Sequence, residues 1–266
     1  MLQNRLIDTH THLDFDRFDT DRDDVIRRAK ESHVGAMITI GIDYRTSLRA
    51  IEIAEQHDNV FASVGVHPHD AKTFTDEQAE HICDLLNHPK VVAIGEIGLD
   101  YHYDYSPRDV QRRVLRHFLD LSLETQMPSI IHTREADEDI LSLIREKARS
   151  GWQGVFHCFS GDQRMGQDVL ELGFLLSFTG NITFKKSPAA QVMQTIPLEK
   201  IMIETDCPFM APVPHRGKRN EPAYVRYVAE KVADVKQVSL EEVARITTGN
   251  AVDVFQLRLE EESLWP

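Results

Sequence analysis

Several short apolar runs in this chain end in side chains that can hold a divalent cation. His10 and His12 follow the first run in "LIDTHTHLD", Glu96 closes "VVAIGE", His132 follows "PSII", His157 follows "GVF" and Asp206 ends "IMIETD". His10 and His12 are two residues apart, so on an extended backbone both rings point to one face and can grip one ion. Alone, such a pair is more often a satisfied polar couple; its distant partners change the weighting. The single carboxylate of Glu96 can bridge two cations, one held by His10, His12 and Asp206, the other by His132 and His157. Neutral imidazoles with carboxylates suit Zn²⁺ or Mn²⁺ and, less comfortably, Mg²⁺. Two such ions about 3.5–4 Å apart would lower the pKa of a shared water toward ~7 and neutralise charge on an attacked phosphorus or carbonyl. Asp206 is then the group expected to take the proton of that water, with Glu96 as the second catalytic carboxylate. The chemistry implied is metal-dependent hydrolysis.

Other residues are expected to face the same centre. Glu204 shares a strand face with Asp206 by period two and reads either as a further ligand, as a group orienting a ligand, or as a structural carboxylate paired inside the fold. His67 and His69 in "GVHPHD" leave the third run on the same side, and His67 is the stronger candidate for a substrate contact. Arg134 comes two residues after His132, Ser160 lies in the turn after His157, and His215, Arg216 and Arg219 sit in a late basic segment; these can donate to phosphate oxygens. Cys158 and Cys207 each directly follow a proposed ligand, so alternation turns their sulfurs away and makes them packing residues.

Positioning such a set requires elements that deliver many strand ends to one mouth. Apolar, β-branched runs recur at residues 6–7, 36–40, 61–66, 91–97, 129–131, 154–156, 174–177 and 201–203, separated by stretches of helical period at 23–32, 47–56, 76–87, 110–125, 138–149, 163–172 and 189–196. Strict alternation of strand and helix implies a parallel sheet with right-handed crossovers. Eight such units can close into a (β/α)8 TIM barrel, whose strand ends all project into one mouth. No glycine-rich phosphate turn follows the first run, which weighs against an open dinucleotide-binding sheet. A proline-rich stretch from Cys207 to Pro222 reads as a lid or substrate loop, followed by a helix running toward Lys236. Ser239 and Glu242 form the capping-box pattern of a last helix.

The 266 residues suit one barrel domain over positions 1–266. A net charge of −13 excludes a binder of long polyanions by diffuse basic attraction, so any nucleic-acid contact must be local. The sequence shows neither an apolar run of membrane-spanning length nor a leader, and its three cysteines lack C-x-x-C spacing. The expectation is a soluble, unprocessed cytoplasmic protein with no membrane association and no obligate protein partner. Leu264 and Trp265 in the acidic end segment could dock on the barrel or a neighbour.

The motifs "DTHTHLDF", "GVHPH", "GEIGLDYH", "IIHTR", "HCFSG", "ETDCPFMAPVPHRGKRNEP" and "TTGNA" resemble, in order and spacing, the TatD family of metal-dependent deoxyribonucleases within the amidohydrolase superfamily. The resemblance spans nearly the whole chain. It implies a (β/α)8 barrel with a two-metal site and Mg²⁺-, Mn²⁺- or Zn²⁺-dependent hydrolysis of DNA phosphodiesters, often from single-stranded 3′ ends. The family's ligands then fall on His10, His12, Glu96, His132, His157 and Asp206, with Glu96 where much of the superfamily has a carboxylated lysine. The same resemblance implies an alternative, ester hydrolysis on D-aminoacyl-tRNA. Small-molecule amide or lactone hydrolysis, and a non-enzymatic scaffold with structural ions, are the remaining readings; convergence of the ligands on an open loop face disfavours the scaffold.

Overall fold

The alternation of buried runs and amphipathic stretches closes on itself. In the computed structural model, which describes residues 5–147 and 151–259, eight strands form one sheet in sequential order, and each neighbouring pair is parallel. They are β1 Leu6–Thr11, β2 Val34–Ile40, β3 Val60–Val64, β4 Val91–Asp100, β5 Ser129–Arg134, β6 Gly154–Phe156, β7 Leu175–Phe178 and β8 Ile201–Ile203. The seam between β8 and β1 is bridged at the mouth. Thr11 pairs in parallel with Cys207, the His12 amide donates to the Cys207 carbonyl at 2.8 Å, and the Asp206 amide donates to the His10 carbonyl at 2.9 Å. The fold is the expected (β/α)8 barrel.

Three strands outrun their apolar cores, and this matters for the site. β1, β4 and β5 extend through His10, Glu96 and His132 because backbone pairing continues where side-chain hydrophobicity stops; Gly98, Leu99 and Asp100 pair with His132, Thr133 and Arg134. Gly98 permits that approach: its φ is +155°, and a Cβ there would overlap the carbonyl of His132.

Helices α1 Arg22–Glu31, α2 Tyr44–Gln56, α3 Asp76–Leu85, α4 Arg108–Thr125, α5 Asp137–Lys147, α6 Gln163–Glu171 and α7 Pro188–Thr195 alternate with the strands. Residue 149, the expected end of α5, lies outside the described residues, as do Leu264 and Trp265. After β8 and the proline-rich stretch come α8 Val225–Lys236 and α9 Leu240–Phe255. Pro222 opens a single 3-10 turn, Pro222–Tyr224, rather than α8 itself. Capping boxes start α2 (Asp43 with Thr46) and α3 (Thr75 with Gln78). At α9 the serine half of the expected box is made, Ser239 accepting from the Glu242 amide at 3.1 Å.

Alternation along the strands separates two apolar clusters. The larger packs strands against helices, with Phe118, Phe156 and Phe178 fully buried. The smaller draws on every strand, with Ile7, Ile38, Phe61, Ile130 and Met202 among its members, and is closed by Val254 and Phe255 at the end of α9 and by Leu257 just beyond it. The end of the barrel away from the histidines is therefore a dry plug, and polar side chains gather at the other end.

Candidate metal centre

Glu96 is the hub of the mouth. It is 3 % exposed, and its two carboxylate oxygens face different imidazoles. Oε2 lies 3.4 Å from His10 Nε2 and 4.0 Å from His12 Nε2. Oε1 lies 2.8 Å from His157 Nε2, 2.9 Å from His132 Nδ1 and 3.4 Å from His67 Nε2. Asp206 Oδ1 joins the first group at 3.4 Å from His12 Nε2 and 3.9 Å from His10 Nε2. Three donor triplets have ligand atoms within 4.8 Å of one another and can each hold an ion: His10, His12 and Glu96; His10, His157 and Asp206; His67, Glu96 and His132. All six sequence-derived ligand candidates thus meet, and His67 meets them too.

The side chains behind this cluster fix its geometry. Asp100, four residues beyond Glu96 and 1 % exposed, places Oδ2 3.3 Å from His132 Nε2 and 2.9 Å from His69 Nε2. Its Oδ1 accepts from the amides of His102 and Tyr103, each at 3.0 Å. Glu204 Oε1 accepts from the Cys158 amide at 2.7 Å and lies 3.4 Å from His157 Nδ1, so it sits behind a proposed ligand. The His157 ring also stacks on His10, with centroids 3.9 Å apart. Asp8 accepts from the amide and hydroxyl of Thr205 at 2.8 and 2.6 Å, tying the end of β8 to β1. Asp206 itself has φ +54°, a left-handed turn that Asp tolerates better than most residues.

Electrostatics favours a cationic guest. Burial raises the Glu96 pKa, but His157, His67, His10 and His132 outweigh it and hold the carboxyl well below its ordinary range. Burial likewise raises that of Asp206, and His12 with His10 more than offsets it. Burial and neighbouring His157 push the His10 imidazole down, and burial pushes His67 down to about 4. Two anionic carboxylates therefore stand beside His10 and His67 rings that stay neutral, while the same carboxylates raise the imidazoles of His12, His132 and His157, whose protons a bound divalent cation would displace. Both nitrogens of His10 and the Nδ1 atoms of His12 and His157 are buried without a hydrogen-bond partner. Of these, His10 Nε2 is the nitrogen that faces Glu96; left unpaired it costs about 1–3 kcal/mol, a cost that a coordinated ion would offset. The donor set fits a divalent metal.

The other candidates are placed unevenly. Arg134 is exposed at the end of β5, its guanidinium 4.8 Å from the Tyr103 ring centre, and Ser160 is exposed in the turn after β6. Arg216 lies over Phe184 at 4.3 Å. His215 stacks on Tyr224, centroids 4.0 Å apart. Arg219 turns to Asp21, bonding both carboxylate oxygens at 2.8 and 2.6 Å, so its charge anchors the lid to the loop before α1. Asn220 strengthens the anchor by donating to the carbonyls of Thr205 and Phe209 at 2.9 and 2.6 Å. Cys158 and Cys207 belong to no donor triplet, and burial raises both thiols well above their ordinary pKa. Sequence reasoning passed over Asp100, although residues 96, 98 and 100 share a strand face by period two, the signal that could have found it. Nothing in the spacing announced that His67 would reach Glu96.

Comparison with known proteins agrees with this geometry. The family model described as TatD related DNase matches residues 7–256. A protein of Bacillus subtilis named as an uncharacterized metal-dependent hydrolase, YabD, is 45% identical over 254 residues, covering 95% of this chain and 99% of its own. A protein of Salmonella typhimurium named 3'-5' ssDNA/RNA exonuclease TatD is 31% identical over 258 residues, covering 95% and 99%. Among solved structures, a TatD homolog of Escherichia coli superimposes with a TM-score of 0.91 at 27% identity, covering 97% of this chain and 100% of that one. A phosphotriesterase homology protein of the same species shares the fold at 15% identity and a TM-score of 0.70, covering 96% and 99%. The chain belongs to the TatD-related DNase family and is a metal-dependent hydrolase acting on ester bonds.

Proposed function

We propose that the protein is a deoxyribonuclease that removes nucleotides from the 3′ end of single-stranded DNA, using two divalent cations, Mg²⁺, Mn²⁺ or Zn²⁺. The observation that carries the reading is the division of the cluster by Glu96, with Oε2 3.4 Å from His10 on one side and Oε1 2.8 Å from His157 on the other. His10, His12 and Asp206 would hold one cation, His132 and His157 the other, and Glu96 both. When bound, the pair supplies acidity to a water molecule and neutralises charge on the phosphodiester.

The chain's own groups do the rest. Asp206 Oδ1 sits at the rim of the first donor group, where it accepts the proton of the attacking water and returns it to the leaving 3′-oxygen of the shortened strand. Glu204 and Asp100 keep the rings of His157 and His132 in orientation. The exposed Arg134, Ser160 and Arg216 are positioned to donate to phosphate oxygens, while Arg219 contributes by holding the lid. With a net charge of −13 the contact with DNA is confined to this mouth, which predicts weak binding without sequence preference. The relative named a ssDNA/RNA exonuclease supports the substrate class.

The decisive experiment is nucleotide release from end-labelled single-stranded DNA by metal-stripped protein resupplied with each cation, beside Asp206→Asn. Release that needs metal and falls about 10²–10⁴-fold in the variant supports the reading, and the label position gives polarity. A folded protein that releases nothing with any metal sinks it and moves the assay to D-aminoacyl-tRNA.

A further inference from the structure

The loop after β4 carries two large aromatic side chains that the fold leaves in solvent. Tyr105 is 55 % exposed and Tyr103 46 % exposed, the first and third most exposed large hydrophobic side chains among the described residues, with Val213 at 48 % between them. Their rings are stacked, with centroids 5.2 Å apart and planes 16° from parallel. The guanidinium of Arg134 covers Tyr103 at 4.8 Å, and among the described residues it has no carboxylate partner. This assembly is coupled to the metal centre. His69 meets Tyr105 edge-on at 4.7 Å and shares Asp100 with the proposed ligand His132, and Asp100 accepts from the Tyr103 amide.

We propose that Tyr103 and Tyr105 form a stacking platform for an unpaired nucleobase next to the scissile phosphodiester, with Arg134 holding the adjoining phosphate. This rests on the nucleic-acid reading of the metal centre and deepens it. The exposed ring of Tyr105, stacked on Tyr103, offers a π-face, and because every base has one too such a platform is tolerant of sequence. The acidic balance of the chain strengthens the case. A protein with a net charge of −13 cannot draw affinity from neutralising many phosphates, so contact with bases must supply it. A duplex keeps its bases stacked on each other, which makes the platform selective for single strands.

The test separates this proposal from the nuclease reading by measuring binding and cleavage apart. A fluorescent deoxythymidine strand with cleavage-resistant phosphorothioate linkages is bound to the metal-loaded protein, and each position near the 3′ end is replaced in turn by an abasic residue. At one position the wild type should bind the intact strand about 5- to 150-fold more tightly than the abasic one, the span of base–aromatic stacking. That ratio should collapse toward one in Tyr103→Ala/Tyr105→Ala and survive in Tyr103→Phe/Tyr105→Phe, with circular dichroism checking the fold. An equal ratio in wild type and the alanine variant overturns the platform, as does a wild type indifferent to every abasic position. A strand that is cut normally without any such ratio removes the platform and keeps the nuclease; a base-dependent ratio on a strand that is never cut does the reverse.

Discussion

Asp100 and His132 are joined through one imidazole edge: Asp100 Oδ2 lies 3.3 Å from His132 Nε2 while the opposite nitrogen, Nδ1, lies 2.9 Å from Glu96 Oε1. A carboxylate behind a ligating histidine fixes its tautomer and makes the far nitrogen a better donor. The His132 imidazole is held above its ordinary pKa, burial being outweighed by Asp100 and Glu96, so these carboxylates favour positive charge at the place where a bound cation would sit.

Asp100→Asn keeps the size of the side chain and removes that charge. On the proposed two-cation reading, the variant should bind the cation assigned to His132 and His157 about 10- to 100-fold more weakly, with the affinity of the group of His10, His12 and Asp206 unchanged. A competition titration of Mn²⁺ against a chelating dye reads both sites, and unchanged affinity at both would show that Asp100 only shapes the loop.

Removal of metal should leave a folded, inactive barrel. The smaller apolar cluster closed by Val254, Phe255 and Leu257 lies away from the donors, and the seam at Thr11 and Cys207 is held by backbone pairing. After chelation the far-ultraviolet dichroism should persist at 25 °C with a lowered melting temperature, because an ion bound only by the native state adds to its stability. Activity should return when metal is restored. Cooperative unfolding on chelation alone would mean that the ions are structural.

Glu221 and Arg28 hold the end of the lid against α1. The Arg28 guanidinium donates Nε and Nη2 to the Glu221 carboxylate, the shortest contact being 2.7 Å, and the Arg28 and Glu221 side chains are 36 % and 11 % exposed respectively. The pair lies between a surface ion pair, worth ~0–1 kcal/mol, and a buried one, whose breaking costs ~3–5 kcal/mol. Glu221→Gln should therefore cost about 1–2 kcal/mol, read as a lower urea midpoint at constant slope. It should also raise KM more than it lowers kcat, since the lid carries Arg216 but not the proposed ligands. A variant with the wild-type midpoint would assign the lid's position to Asn220 and Arg219 alone.

The sequence by itself determined the barrel and most of the donor set, and the reason is local. Buried parallel strands announce themselves by short β-branched runs, and period two places His10 with His12 on one face; Glu204 and Asp206 lie beyond β8, where the left-handed φ of Asp206 breaks the alternation the sequence suggested. The convergence of strand ends was legible once the alternation was read as a closed barrel. Tertiary structure alone decided what the loops do. Asp100 faces both His132 and His69 because β4 and β5 stay paired beyond their apolar cores, with Gly98 permitting the close approach. His67 comes 3.4 Å from Glu96 through the path of the loop after β3. Arg219 is spent on Asp21, 198 positions away in the chain, so a basic residue in the expected place serves the lid's anchorage. Contacts of that span depend on barrel stagger and loop course, which no local pattern of hydrophobicity encodes.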